Sequence, residues 1–592
     1  MSEEEPPFRR PSRRRRTVSW RFSAVLVIAV LALLGTVGYE TLLNHHSLSG
    51  TAVDAYTLTP LAGVTVVASG TQVVTDSHGH FSISGEHDSV QAVKQGYESI
   101  KATVTSSSGD VRLTLRPNVV HGTVVNGVDQ NPVAGVQVTL SSGSTAIAHT
   151  TTGKDGTYTL TDVPEGASVQ FTAEDFADLS RKLDHDTTVD VALQPDVLRG
   201  TLTDDQGKPI AGAVVATGSL FTTTADDGTY RLKGVSTSGP VVFKASGFAA
   251  TSKSLTPALK LDASLVPIQV KAIYATANTA SNQLSLDALI KIADTTEVNA
   301  IVVDLKDSTG HIYYDSSVPL ANQIGAIEPE LDPALLVELL HQHNIYAIAR
   351  IVVFEDPILA EARPDWAIHD SATGGLWRTW NGLAWVNAHR SEVWDYDVSI
   401  AKEAAAFGFD EIQLDYIRFP TDGPLNTAEY GVPQNEQTRP EAINDFLTQM
   451  YAAIAPTHAY LAADVFGLTM WETGDGNIGQ NLESVAQHLD YVCPMVYPSH
   501  FADGSMGFDN PNDHPYEVVL WSLENGSERV PQFKAKLRPW LQDFSLGEGI
   551  AYGPTEVKRQ IDAVNDFGAS GWMFWNADNT YHSSGFASNG TN

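Results

Sequence analysis

The sequence predicts a multidomain chain: an N-terminal transmembrane helix, three all-β sandwich domains and a C-terminal (β/α)8 TIM barrel. Three observations predict it. An uncharged, mainly apolar run spans Phe22–Tyr39 behind a block of arginines. One pattern of turns and short strands then begins three times, at Gly50, Gly122 and Gly200. After Pro267 the pattern changes to short apolar strands separated by amphipathic segments. At 592 residues the chain is too long for one ordinary core, so several domains are expected.

Residues 1–21 form a basic tail with seven arginines and three glutamates. That leaves 30 basic and 67 acidic side chains, a balance of −37, on the rest of a chain whose total is −33. A body that acidic repels phosphate backbones, which argues against nucleic acid and for an uncharged substrate. The run 22–39 is just long enough to cross a bilayer as a helix. With basic residues before it and none close behind, it reads as a signal-anchor: residues 1–21 cytoplasmic, everything after Glu40 extracytoplasmic, and the protein single-pass in the cell membrane. The alternative is a cleaved signal peptide, because Thr36-Val37-Gly38 resembles a small-x-small cleavage site. The single cysteine, Cys493, allows no intrachain disulfide.

The repeats are expected to form sandwiches over residues 48–118, 119–197 and 198–266. Each opens with Gly-Thr and an apolar pair, runs to Pro-x-Ala-Gly and an alternating strand, and continues to an Asp-centred turn such as Lys154-Asp155-Gly156-Thr157-Tyr158. Alternating strands broken by glycine-rich turns have one buried face, and about seven of them make a small sandwich. These elements resemble the carboxypeptidase regulatory-like domains, transthyretin-like sandwiches that often accompany catalytic domains in exported proteins. The Asp-Gly pairs fit hairpin turns and fall short of a calcium shell, so no metal is expected. None of the eleven tryptophans lies in the repeats, which favours spacers over sugar-binding modules.

The barrel is expected over residues 267–592, with strands at 270–276, 300–307, 345–353, 410–419, 459–467, 490–498, 530–540 and 571–576. In such a barrel the polar residues at strand C-terminal ends face the active site. This rule selects Asp304, Arg350, Glu355, Asp415, Arg418, Asp464, Tyr497, Asp543 and Asn576. No Cys/His cluster has metal spacing, and neither a Gly-x-Ser-x-Gly elbow nor a Walker-type glycine loop is present, so paired carboxylates are the chemistry left and no cofactor is called for. Ten tryptophans fall between Trp366 and Trp575, several of them at strand ends or in loops, as a sugar-gripping surface requires.

DEIQLDYIRFP (Asp410–Pro420), VVDLKDSTG (Val302–Gly310), PMVYPSHF (Pro494–Phe501), LRPWLQDF (Leu537–Phe544) and GWMFWNADNTY (Gly571–Tyr581) resemble a family of bacterial TIM-barrel glycoside hydrolases labelled a domain of unknown function. The resemblance implies a glycosidase-like barrel and brings no substrate. By analogy with barrel glycosidases that place an aspartate nucleophile after the fourth strand, Asp415 is the nucleophile candidate, Asp464 the acid/base candidate, and Arg418 the support that holds Asp415 ionised. Asp304, Arg350, Trp385, Asn387, Arg418, Tyr497, Trp575 and Asn576 are the substrate-binding candidates. The function expected is an anchored extracytoplasmic glycoside hydrolase acting on a cell-wall or surface polysaccharide. The alternative is an inert carbohydrate-binding or adhesive surface protein that uses the same groove.

Overall fold

The computed structural model describes residues 47–105, 110–236, 238–547 and 549–589. The basic tail and the expected transmembrane helix 22–39 lie outside the described residues. Among those described, no helix is long and apolar enough to cross a membrane. The chain divides into two compact units after Gln194.

The first unit holds two sandwiches, each of a three-stranded and a four-stranded sheet. In the first, Ser47–Asp54 pairs antiparallel with His80–Ser84 and parallel with Asp110–Leu115. Burial alternates strictly along His80–Ser84, placing Phe81 and Ile83 in the core beside Val66, Val90 and Leu113. The second repeats the plan around Val120–Asn126. The Gly-Thr signature has a steric cause: a Cβ on Gly50 would lie 2.1 Å from the Val111 carbonyl oxygen, and on Gly122 1.9 Å from that of Val189. Only glycine lets the parallel neighbour approach so closely.

The second unit holds the third sandwich and the barrel. The barrel strands are β1 (Val270–Ala275), β2 (Ala300–Lys306), β3 (Tyr346–Val352), β4 (Glu411–Asp415), β5 (Tyr460–Phe466), β6 (Tyr491–Met495), β7 (Trp540–Gln542) and β8 (Gly571–Trp575). All pair in parallel, and β1 closes on β8. Outward residues such as Ile412 and Leu414 join one core with helix residues Val393, Ile400, Ile443 and Leu447. Inward ones, among them Val302, Ile348, Ala462, Cys493 and Met573, form a second core inside the barrel.

All eight strands are shorter than expected, three of them markedly: the sixth ends at Met495 instead of reaching 498, and the seventh and fourth lose more. For the seventh, Pro531–Lys536 forms a 3-10 turn and Pro539 precedes the strand, so only Trp540–Gln542 pairs along its length. The fourth stops at Asp415 because Tyr416 has φ 54°, a conformation a non-glycine residue rarely adopts and one that breaks the ladder. Strand β4 carries three inward polar residues at alternating positions. Glu411 pairs with Arg538 deep in the barrel, Gln413 donates to Asp464 at 2.7 Å midway, and Asp415 meets Arg350 at the top.

The third sandwich was expected to be a spacer like the others, but it packs against the barrel's lower rim. The buried Lys244 ammonium donates to the carbonyls of Ile454, at 3.2 Å, and Ala459. Ser246 Oγ donates to the Asp490 carbonyl at 2.9 Å, and the Gly247 N–H to the Tyr491 hydroxyl at 2.8 Å. The Tyr460 hydroxyl donates in return to the Phe248 carbonyl at 2.7 Å. Burial pushes the Lys244 amine down to about 8, so this docking is built on a costly buried cation satisfied by carbonyls. A chain starting at Pro267 is therefore expected to be less stable than one starting at Pro195 by about 3 kcal/mol or more, from lost hydrogen bonds and uncovered tyrosines. Urea midpoints of the two chains check this, and equal midpoints would make the sandwich a bystander.

Candidate active site

The upper ends of β1 to β4 converge on one guanidinium. Arg350, at the end of β3, donates from Nη1 to Asp304 Oδ1 at 2.6 Å. Its Nη2 and Nε reach Asp415 Oδ2 at 2.5 and 3.2 Å. The Tyr274 hydroxyl donates to the other oxygen of Asp304. The Asp415 carboxylate is completed by the N–H of Tyr416, 2.7 Å from Oδ1. Tyr274, Asp304, Arg350 and Asp415 are all buried, and a desolvated guanidinium gripping two carboxylates fixes their positions. Strand register explains the meeting: Asp304 stands beside Arg350, and Val352 beside Asp415, so the barrel's stagger brings the side chains to one level.

Asp464, on β5, sits in the same mouth without a cation of its own. Its Oδ1 accepts from Gln413 Nε2 and from Trp540 Nε1, both at 2.7 Å, while Oδ2 has no partner among the described residues. Burial, then the neighbouring negative charge of Asp415, hold its carboxyl well above the usual range, against the pull of Arg350 and the two donors. Two carboxylates thus lie in one mouth in unlike settings, one tied to a guanidinium and the other favouring its proton.

Both line a cavity of about 740 Å³ together with Arg350, Arg418, Tyr497, Trp540 and Trp575. One wall is aromatic: Trp471 lies parallel to Phe501 with centroids 4.1 Å apart. Trp575 also lines the cavity, stacked on Tyr274 at 4.0 Å with the Arg350 guanidinium over its ring. Apolar faces with a few aimed polar groups are what a sugar ring takes.

The expected ion pair between Arg418 and Asp415 is not made; Arg350 holds that carboxylate. The left-handed turn at Tyr416 redirects the chain, so Arg418 lies over the rings of Tyr416, Phe466 and Trp385 and donates to the Phe419 carbonyl at 3.1 Å. Trp385 is fully buried behind Tyr416, and Asn387 spends its amide on the Tyr430 carbonyl at 2.9 Å, so both stand behind the wall. Asp304 is sealed under Arg350. Asn576 braces a loop, donating to the carbonyls of Asp543 at 2.5 Å and Thr580 at 2.7 Å. Glu355 is buried near Arg418 but does not line the cavity; burial, with Asp422 and Asp415 adding to it, pushes its carboxyl up to about 7. Tyr274, Gln413 and Phe501 were missed, whereas Trp471 and Trp540 were among the strand-end tryptophans expected of a sugar-gripping surface but outside the substrate-binding set. The alternation Glu411, Gln413, Asp415 was the readable signal for Gln413, since one face of a strand carries every second residue.

An eight-stranded parallel barrel with buried carboxylates and aromatic walls at its upper mouth is a barrel of the glycoside hydrolase type. The chain belongs to the family described as "Putative glycosyl hydrolase domain", which matches residues 272–581. A carboxypeptidase regulatory-like domain matches residues 119–194. No curated protein matches the chain. Among solved structures, a hypothetical protein from Ruminiclostridium thermocellum is 36% identical over 33% of this chain and 97% of its own, with a TM-score of 0.29. The PgaB (BpsB) glycoside hydrolase domain from Bordetella bronchiseptica is 12% identical over 53% and 95%, with a TM-score of 0.41. A class V chitinase from Pseudomonas fluorescens is 11% identical over 54% and 97%, with a TM-score of 0.34.

Proposed function

We propose that this protein is a membrane-anchored, extracytoplasmic glycoside hydrolase that cuts an uncharged cell-wall or surface polysaccharide with Asp415 and Asp464. The observation that carries the reading is the unlike pair of carboxylates in one aromatic-walled cavity. Glycosidic cleavage needs a proton donor for the leaving oxygen and a carboxylate for the anomeric carbon. Asp464, with its proton favoured and its Oδ2 without a partner among the described residues, gives the proton to the departing oxygen. Asp415, oriented by Arg350 and the Tyr416 N–H, attacks the anomeric carbon as nucleophile. Asp464, now a carboxylate, takes a proton from water as water releases the sugar from Asp415. Two residues whose surroundings separate their proton affinities are the usual basis for such a division of roles.

The test is release of reducing ends from isolated cell-wall and surface polysaccharides by the purified full chain, with no release from any of them sinking the reading. Anchorage is motivated by the apolar run 22–39 behind the arginines. It predicts that the protein fractionates with membranes and keeps residues 1–39. A mature form in the medium, starting near residue 39, would replace the anchor with a cleaved signal peptide.

A further inference from the structure

A second pocket of about 530 Å³ adjoins the catalytic cavity and shares Tyr497, His500 and Trp575 with it. At its heart is a pair that the chemistry above does not use. Asp543, fully buried after β7, accepts from the backbone N–H of His582 at 2.8 Å and faces its ring Nδ1 at 2.6 Å. One carboxylate oxygen thereby holds the imidazole and the other the backbone that carries it. The His582 side chain is 44% exposed, its Nε2 has no partner among the described residues, and the residue lines the pocket. Asn576 braces the segment between β8 and His582 by its two carbonyl contacts, so the ring is carried on a fixed loop. A buried carboxylate that fixes an imidazole lining a pocket and leaves its far nitrogen free of protein partners is a construction for holding a ligand.

We infer that this pocket is a second sugar subsite. It seats an uncharged unit of the same glycan that is cut next door, with His582 Nε2 bonded to one of its hydroxyls. The proposal rests on the glycoside hydrolase reading. A hydroxyl can donate and accept, so it suits the imidazole in either protonation state. Phe544 and Trp575 supply apolar faces at the pocket's sides. Among the described residues no lysine or arginine lines the pocket, while Asp543 and Asp578 do, so a uronate, phosphate or sulfate would meet two carboxylates and no permanent cation.

The test uses the full chain with Asp415→Asn, titrated calorimetrically with oligomers of glucose, N-acetylglucosamine and galacturonic acid, two to six units long. In a neutral series, affinity is expected to rise as chain length reaches the second pocket, and His582→Ala or His582→Gln to remove about fivefold to tenfold of it, the worth of one hydrogen bond. In the ¹⁵N-histidine spectrum of the unsubstituted protein, the His582 Nε2 resonance should shift with the longer oligomers only, a readout that survives if the variants fold poorly. Binding that is indifferent to His582, with an unmoved resonance, overturns the subsite and leaves the hydrolase reading intact. Preferred binding of the galacturonic series overturns the uncharged class. Binding of no series counts against the hydrolase reading itself and removes the subsite with it.

Discussion

Replacing Asp415 with Asn is expected to lower glycan hydrolysis by about a thousandfold or more while leaving glycan binding within about threefold. Asparagine keeps the shape and an acceptor oxygen for Arg350 but removes the charge that attacks the anomeric carbon. The fold should tolerate the change, because Arg350 keeps its contact with Asp304 at 2.6 Å and so is not left as an uncompensated buried cation. Reducing-end release and calorimetric binding on the same preparations separate the two effects. An inert binding protein would show no turnover in either form and the same affinity in both. Equal turnover in the two would remove Asp415 from the chemistry, whatever the affinity.

How far the sequence could be read depended on whether a feature is local or made by closure of the barrel. The sandwich repeats are local: turn glycines, alternating valines and threonines, and a glycine where a neighbouring carbonyl sits too close for any Cβ. The eight strands were legible for a similar reason, since each is a short apolar run and all but the last have a helix after them. The seventh was misjudged because Val530–Trp540 looks strand-like in composition, yet the prolines at 531 and 539 withhold the N–H groups a ladder needs. The site was legible only as a set of candidates. Which arginine grips Asp415 depends on the stagger between β3 and β4 and on a left-handed residue at 416, and neither leaves a mark in composition. Sequence proximity favoured Arg418, three residues away; the barrel delivers Arg350, 65 positions away. The docking of the third sandwich was equally hidden, since Lys244 resembles any strand lysine until its carbonyl partners on the barrel rim are seen.

Replacing Asp464 with Asn should be nearly as damaging, and its signature is the pH profile. A general acid must carry its proton, and burial with the nearby charge of Asp415 raises this carboxyl well above the usual range. Wild-type kcat/KM should therefore fall on the alkaline side as Asp464 loses its proton. Asparagine has no proton to lose, so the variant should keep about a hundredth or less of the activity on a natural glycan and lose that alkaline limb. On an aryl glycoside whose leaving group departs as a stable phenolate, the loss should be much smaller, because that bond breaks with little help from an acid. The Asn side chain can still accept from Trp540 and Gln413, which keeps the comparison chemical rather than structural. Glu355 is the competitor, since its carboxyl is pushed up to about 7 by burial. Because it lies off the cavity, Glu355→Gln is expected to cost less than about tenfold and to leave the alkaline limb in place. If instead Glu355→Gln flattens that limb while Asp464→Asn retains it, the acid is Glu355, and the raised affinity of Asp464 for its proton serves only the packing of the barrel mouth.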